Sequence, residues 1–182
     1  METLESNRLQ LREWEEIDAK DVFEYAKSKL VGPMAGWKPH DSLEESLEII
    51  QMFKREQDTW AIVLKETGKV IGSVGLHKEE KEKERMLGYV LGEDYWGQGI
   101  FKEASERILA YGFEQMKLER ITVYHFSTNR QSKRVIEKLG FTYEESKKNG
   151  TTGYDGTFYD KVCYVMTISE YYQRKREGLK NA

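Results

Sequence analysis

The spacing of apolar residues predicts a set of strands in the first half of the chain. From Arg8 to Arg12, apolar and polar residues alternate, which is typical of a strand with one buried face. Three later segments are short apolar runs rich in branched residues: 60–64, 70–76 and 86–91. The first two runs are separated by a short polar segment containing Gly68, so they predict a hairpin. The third follows the densely charged turn Glu79–Arg85 and predicts a further antiparallel strand.

Apolar residues at helical spacing predict four helices, and three of these have a clear start or end signal. Asp18 is available as an N-cap for the first helix, and Ser42 with Glu45 matches a capping box before the second. Asn129 is a capping residue for the last helix and Gly140 ends it. The predicted helices cover residues 18–29, 43–53, 102–115 and 130–139.

The second half of the chain is predicted to complete the sheet. Arg120–Tyr124 predicts a strand that follows a strand and a helix. A passage of this length is most simply a right-handed parallel crossover, so we expect this strand beside residues 86–91. Phe141–Lys147 and Phe158–Thr167 predict a closing hairpin around the glycine-rich loop Asn149–Gly156.

The turn after residue 91 carries the chemistry that the pattern indicates most clearly. Gly97 and Gly99 let the backbone turn tightly between a buried strand and a helix. A helix N-terminus leaves about four amides without intrahelical partners and carries roughly half a positive charge. The turn is therefore either a plain strand-to-helix connection or a site for a pyrophosphate. Lys102 stands where a dinucleotide fingerprint needs a small residue, and no Gly-Lys-Ser/Thr phosphate loop is present.

Composition narrows the classes of function. At 182 residues with two prolines, the chain is expected to form one domain over residues 1–182, with a polar tail over 169–182 that can begin as a helix. Both charge signs are mixed and the net charge is −3, which argues against nucleic-acid or membrane-surface binding. The absence of a long apolar run and of a signal-like N-terminus predicts a cytoplasmic protein. Cys163 is the single cysteine, which excludes an intrachain disulfide, and no metal is expected.

The order of predicted elements, together with five short motifs, resembles the GNAT superfamily of N-acetyltransferases, and within it the RimJ/RimL-like branch. The motifs are Arg8-Leu9-x-Leu11-Arg12, Gly88-Tyr89, Tyr95-Trp96-Gly97-Gln98-Gly99 with Glu103-Ala104, Asn129-x-x-Ser132 with Glu137-Lys138-Leu139-Gly140-Phe141, and Gly156-x-Phe158-x-Asp160. The resemblance implies an α/β (α+β) GNAT fold. This fold has a mixed, mostly antiparallel central sheet flanked by helices, and its central parallel strand pair is splayed by a bulge.

The resemblance also implies that acetyl-coenzyme A (acetyl-CoA) is the cosubstrate. Amides of residues 97–102 would hold its pyrophosphate, and freed strand amides near Val90 and Leu91 would contact its arm and polarise the thioester. The implied cofactor-binding residues are Tyr89, Val90, Leu91, Trp96, Gly97, Gln98, Gly99, Ile100, Phe101, Lys102, Asn129 and Ser132. Phe101 departs from the family pattern, which has a small residue there, although its side chain can turn into the core.

The resemblance implies acetyl transfer to a primary amine by direct attack of the amine on the thioester. The sequence does not clearly identify the general acid or the general base. The family's usual tyrosine donor position is Ile136 here, so Ser132 is the candidate donor to the departing thiolate. The family's strand glutamate is replaced by Met86, which leaves Glu84 and His77 as candidate bases, beside a water chain without a dedicated base.

The acceptor is left open by the sequence. It could be a protein or peptide N-terminus, a polyamine or another small amine, and a homo-oligomer is also left open. The segment Gly32–His40 is either an ordinary connection between helices or one wall of the acceptor site. A different class of function is a non-catalytic module that senses acyl-CoA or acts as a scaffold on the same fold. The missing tyrosine and strand glutamate favour that class slightly, and the glycine turn with Asn129 favours cofactor use.

Overall fold

The computed structural model describes residues 1–180, and its centre is one eight-stranded sheet. The strands are β1 Leu4–Glu5, β2 Leu9–Arg12, β3 Thr59–Leu64, β4 Lys69–Lys78, β5 Glu84–Leu91, β6 Arg120–Phe126, β7 Thr142–Thr152 and β8 Phe158–Thr167. Their order across the sheet is β1-β2-β3-β4-β5-β6-β8-β7. All neighbours are antiparallel except β5 and β6, which are parallel. This confirms the predicted mixed, mostly antiparallel sheet.

Within residues 1–180, six α-helices flank the sheet. They are α1 Ala19–Ala26, α2 Gly32–Ala35, α3 Leu43–Glu56, α4 Ile100–Ala110, α5 Arg130–Leu139 and α6 Ile168–Lys180. A π-helical turn, Tyr111–Gln115, continues α4. None of the helices within residues 1–180 is both long and apolar enough to span a membrane.

Two buried clusters hold the helices to the sheet. The larger cluster packs α4 and α5 against one face of the central strands, with Ile108, Phe113 and Ile136 fully buried. The smaller cluster packs α1 and α3 against β3 and β4, around Trp14 and Ile50. The cavity described below lies where these two layers meet the central pair of strands.

The predicted seam between the central parallel strands is present, but a bulge does not open it. Pairing between β5 and β6 covers only three positions, from Glu84↔Arg120 to Met86↔Thr122, and then stops. The ladder between β4 and β5 runs without a register shift over the same strand. The two strands therefore diverge after Met86 without a bulge in either ladder, and the prediction of a bulge is wrong.

Several predicted boundaries differ from the structure. Asp18 does not cap α1: its carboxylate accepts from both terminal nitrogens of Arg12, each at 2.8 Å, and from the Glu15 amide at 2.9 Å. The residue is instead part of a short 3-10 turn before the helix. The capping box at Ser42 forms only in part, because Ser42 accepts from the Glu45 amide while Glu45 accepts from the Asp41 amide.

The closing hairpin is longer than predicted. Strand β7 continues to Thr152, through residues that the sequence assigns to a loop, because Thr151 and Thr152 pair with Tyr159 and Phe158 beyond a register shift. Helix α4 begins directly after Gly99, at Ile100. The tail after Thr167 is helical through Lys180, and residues 181–182 lie outside the described part.

Candidate active site

A cavity of about 550 Å³ opens where β5 and β6 separate. Its lining comes from β4, β5, β6, the glycine turn, the start of α4, the first turn of α5 and the segment containing α2. This size falls within the range of small-molecule sites, which are concave and mostly apolar with a few placed polar groups. The cavity is therefore the candidate active site.

The glycine turn presents free main-chain donors to this cavity. Gly97 and Gly99 have φ angles of 76° and 73°, a region that favours glycine, and α4 starts at the next residue. Within residues 1–180, the amides of positions 97–102 donate to no protein acceptor, and the first helical bond runs from the Glu103 amide to the Gly99 carbonyl. The turn thus has the donors and the positive helix end that an anion requires.

The two bulky residues of the turn are used inside the protein. Phe101 is only 6% exposed and packs on Tyr89, with ring centroids 3.9 Å apart. Trp96 donates from its indole nitrogen to the Leu91 carbonyl at 2.8 Å, which ties the turn to the end of β5. Phe101 therefore has its side chain in the core and its amide at the turn.

Of the other turn residues, Ile100 and Lys102 line the cavity, and Gln98 is absent from its lining. Ile100 is buried under the turn, while Lys102 is exposed and pairs with Glu106 at 2.8 Å. The Gln98 side chain donates to the Asp94 carbonyl at 2.8 Å, and the Gln98 carbonyl accepts from Arg8 at 3.0 Å. Gln98 thus contributes its backbone to the turn, and its side chain is turned back onto the preceding loop.

The alternation of hydrogen bonds between β4 and β5 shows which β5 amides face the seam, the gap between β5 and β6. Gly92 donates to Ile71 on β4, and main-chain groups in an antiparallel strand alternate between its two neighbours. The amides of Tyr89 and Leu91 therefore point to the open side, where β6 is absent. The amide of Val90 points to β4, so only the Leu91 amide of the expected pair is free for an arm in the seam.

Two hydroxyls meet across the seam. The Tyr89 side chain from β5 and the Ser132 side chain from α5 are in hydrogen-bond contact. Burial raises the pKa of Tyr89 to about 12, despite the opposing effect of the Ser132 hydrogen bond. The tyrosine consequently keeps its proton at neutral pH and can act as a donor rather than a base.

Asn129 lies at the same end of the cavity and is engaged within the protein. Its side-chain oxygen accepts from the Ser132 amide at 3.0 Å, as expected of an N-cap. Its side-chain nitrogen donates to the Met34 carbonyl at 3.3 Å, which connects α5 to α2. The predicted cap is confirmed.

The two candidate bases have different positions. Glu84 lies at the start of β5, in ion pairs with Arg120 and Lys81, and is absent from the cavity lining. His77 lines the cavity, and its Nδ1 lies 3.1 Å from Oδ2 of Asp58. Burial raises the pKa of Asp58, but hydrogen bonds from His77 and Thr59 outweigh it, so the carboxyl has a lowered pKa. The structure therefore brings His77 to the site and leaves Glu84 outside it.

Several lining residues are not among the individual site residues that the sequence indicates. Met34 and Trp37 belong to the segment Gly32–His40, whose role the sequence left undecided, and both residues line the cavity. Tyr124, His125 and Phe126 enter from β6, and Ser73 from β4. His125 is 5% exposed; its Nδ1 donates to the Phe126 carbonyl at 2.7 Å, and its Nε2 is buried without a partner among the described residues. Nothing in the local sequence distinguishes these strand residues from others. They line the cavity because β6 separates from β5 after Met86.

Comparison with known proteins identifies the family of this chain. The acetyltransferase (GNAT) domain model matches residues 8–142. The chain is 29% identical over 169 residues to the uncharacterized N-acetyltransferase YoaA of Bacillus subtilis, covering 90% of this chain and 95% of that protein.

Solved structures agree. A GNAT-family acetyltransferase from Bacillus anthracis has a TM-score of 0.85 at 25% identity, over 93% of this chain and 100% of that one. RimL, the ribosomal L7/L12 alpha-N-protein acetyltransferase solved in complex with coenzyme A, shares the fold with a TM-score of 0.79 at 20% identity, over 93% of this chain and 99% of that one. With these matches and the splayed central strands, the chain belongs to the GNAT family of N-acetyltransferases.

Proposed function

We propose that this protein transfers the acetyl group of acetyl-CoA to a primary amine. The observation that carries the proposal is the row of free amides at residues 97–102, beside a seam that is open next to Leu91. A pyrophosphate suits the first feature and an extended amide-bearing arm suits the second. The RimL structure, which has the same fold, contains coenzyme A.

The free Leu91 amide would donate to the thioester carbonyl. A backbone donor fixed by the β4–β5 ladder needs no reorganisation as negative charge develops on that oxygen. The Trp96 indole, bonded to the Leu91 carbonyl, would hold this peptide unit in place. The remaining predicted binding residues, Asn129 and Ser132, stand at the other end of the seam, where the polar arm would pass.

Ser132 and Tyr89 form the proposed proton donor for the departing sulfur. Their mutual hydrogen bond lets one hydroxyl give its proton while the other replaces it. The raised pKa of Tyr89 keeps this pair protonated at neutral pH. The amine nitrogen would attack the carbonyl carbon, the carbon–sulfur bond would break, and the thiolate would take a proton from this pair.

The acceptor is a primary amine of a peptide N-terminus or of a small molecule. The name of RimL describes an alpha-N-protein acetyltransferase, which supports the first source. The cosubstrate is free acetyl-CoA, and the proposed location is the cytoplasm.

The test has a binding part and a turnover part. Calorimetric titration with acetyl-CoA should show saturable binding, and a thiol-release assay with peptides and small amines should show turnover. Ser132→Ala and Tyr89→Phe should each lower kcat by about tenfold or more while the KM for acetyl-CoA changes little. Tyr154→Phe, on an exposed tyrosine far along the β7–β8 hairpin, is the control. Binding without turnover on any amine would instead identify a sensing module, and no binding would overturn the proposal.

A further inference from the structure

We infer that the acceptor is a primary monoamine carried on an apolar, preferably aromatic, group, and that its proton leaves through His77 held by Asp58. The inference rests on the proposed acetyl transfer and assigns the substrate class to that site. It depends on the half of the cavity that lies across β5 from the glycine turn.

The cavity has two chemically different halves, on opposite faces of β5. Side chains alternate along a strand, and Leu87, Tyr89 and Leu91 pack into the cluster under α4. Gly88 faces the other way, because a Cβ built on it would lie 2.4 Å from Nε2 of His77. His77 therefore belongs to the half that is opposite the cofactor turn.

This second half is lined mainly by apolar and aromatic side chains. They come from α2, the segment after it, α3 and β6: Met34, Trp37, Phe53, Tyr124 and Phe126. Phe126 is fixed by stacking on Tyr159, with ring centroids 4.8 Å apart. Such walls favour an apolar or aromatic ligand body, since burying it removes apolar surface from water.

The charges around the cavity disfavour a ligand with several positive charges. Among the lining residues that the structure describes there is no aspartate or glutamate, and the two lining lysines, Lys102 and Lys138, lie on α4 and α5 at the cofactor half. Lys161 adds a further cation, with its Nζ 4.1 Å from the centre of the Tyr124 ring. A polyamine would leave its extra ammonium groups without a counter-ion, which is costly in a partly desolvated site. The chain as a whole has a net charge of −3, but the cavity lining does not share this negative charge.

His77 and Asp58 form a pair suited to accept one proton. The Asp58 carboxylate is held at 2.8 Å by the Thr59 hydroxyl and at 3.1 Å by Nδ1 of His77. An ionised carboxylate can only accept, so Nδ1 carries the proton and Nε2 is left as the free acceptor. Glycines at positions 75 and 88 leave room for the ring, because a Cβ at position 75 would lie 3.0 Å from its Cε1.

The proton balance assigns each group one role. A bound ammonium must lose two protons to become the amide nitrogen. One goes to Nε2 of His77 and then to solvent, which frees the lone pair for attack. The other is released as the carbon–nitrogen bond forms and the carbon–sulfur bond breaks. The sulfur of coenzyme A takes its proton from the Ser132–Tyr89 pair, and the proton released by the amine restores that pair through solvent. His77 thus contacts the reacting amine, and Asp58 acts as a positioning residue through His77.

The substrate test compares 2-phenylethylamine with spermidine in a thiol-release assay at saturating acetyl-CoA. We expect kcat/KM for 2-phenylethylamine to exceed that for spermidine by at least tenfold. Met34→Glu places a carboxylate at the rim of the apolar half and should narrow or reverse this ratio. Leu30→Glu is the matched control, because Leu30 is 55% exposed and Met34 46% exposed, but only Met34 lines the cavity. Its ratio should stay at the wild-type value.

Equal or better turnover of spermidine by the wild-type protein would overturn the substrate class and leave the acetyl transfer standing. Absence of acetyl-CoA binding, or of turnover on every amine, would overturn both. These two kinds of failure are distinguished by calorimetric titration of acetyl-CoA into the same preparation.

The proton path is tested with His77→Gln, which keeps a donor for Asp58 but cannot accept the proton. We expect kcat to fall by at least tenfold while KM for both substrates stays within about twofold. Asp58→Asn should lower kcat similarly, and the double variant should be no slower than His77→Gln alone, because both changes interrupt one path. Additive losses, or a raised KM with unchanged kcat, would show a structural role only and would overturn this assignment.

Discussion

Nε of Arg8, the residue before β2, lies 2.7 Å from Oε2 of Glu103, on the first turn of α4. The same guanidinium donates to the Gln98 carbonyl at 3.0 Å, and the Arg8 amide donates to Oε1 of Glu103 at 2.7 Å. An arginine near the N-terminus of the chain thus holds both sides of the glycine turn. Because the turn must keep its amides convergent, this brace should matter for cosubstrate affinity.

Arg8→Gln should weaken acetyl-CoA binding about three- to tenfold, since the Gln98 carbonyl and Glu103 lose their common partner. The free energy of unfolding should fall by about 1 kcal/mol, which is the typical net contribution of one intramolecular hydrogen bond. Calorimetric titration and urea unfolding measure the two effects. Arg55→Gln, on the last turn of α3 and outside the cavity lining, is the control. Unchanged affinity in Arg8→Gln would show that the turn keeps its shape without the brace.

The stability of the fold should depend on pH through Glu103. Burial raises the pKa of this carboxyl, but the Arg8 amide, the Ser6 hydroxyl and the Arg8 guanidinium outweigh it, and the pKa is lowered below the usual 4.5. A lowered folded-state pKa means that the carboxylate stabilises the fold above about pH 4.5, and that this contribution is lost as the pH falls through the folded value.

Urea unfolding at steps between pH 7 and pH 3 checks this dependence. The difference in unfolding free energy between the wild type and Glu103→Gln should be constant from pH 7 to about pH 5 and shrink below about pH 4.5. Glu79→Gln, in the exposed turn before β5, should show a much smaller difference throughout. A Glu103→Gln difference that does not change with pH would contradict the assignment.

Gly99→Val should reduce acetyl-CoA affinity by at least tenfold. Its φ of 73° strains any β-branched residue, and the side chain would stand at the amides that face the cavity. Gly68→Val is a matched control, because Gly68 has a φ of 71° in the β3–β4 hairpin, far from the cavity, with open space around its Cβ position. Both variants should lose similar stability, and only Gly99→Val should lose affinity. Equal affinities would remove the turn from the site.

Two substitutions of Asn129 distinguish its role as the N-cap of α5 from its hydrogen bond to α2. Asn129→Ala removes both hydrogen bonds and should cost about 1 kcal/mol of stability, as typical N-cap losses do. Asn129→Asp keeps a cap for the Ser132 amide and loses only the donor to the Met34 carbonyl. If the α2 link shapes the cavity, Asn129→Asp should retain stability but raise the KM for the amine. Identical KM values in the two variants and the wild type would limit Asn129 to its capping role.

Much of the fold follows from local pattern. The apolar runs at residues 60–64 and 70–76 formed the predicted hairpin, and the cap and stop signals at Asn129 and Gly140 bound α5 as expected. The errors lie where a longer-range contact competes with a local signal. Asp18 is an example, because the guanidinium of Arg12 takes its carboxylate from the helix end.

The sequence by itself determined the order of elements, the glycine turn with its adjoining helix, and the resemblance that names the family. These depend on residues a few positions apart, where periodicity and turn chemistry act. Only the tertiary structure decided which polar groups meet. Glu84 and His77 were equal candidates, until the packing of β6 paired Glu84 with Arg120 and the glycines at 75 and 88 admitted His77 beside Asp58. Such contacts depend on strand register and on where β6 leaves β5, and neither is encoded in any short segment.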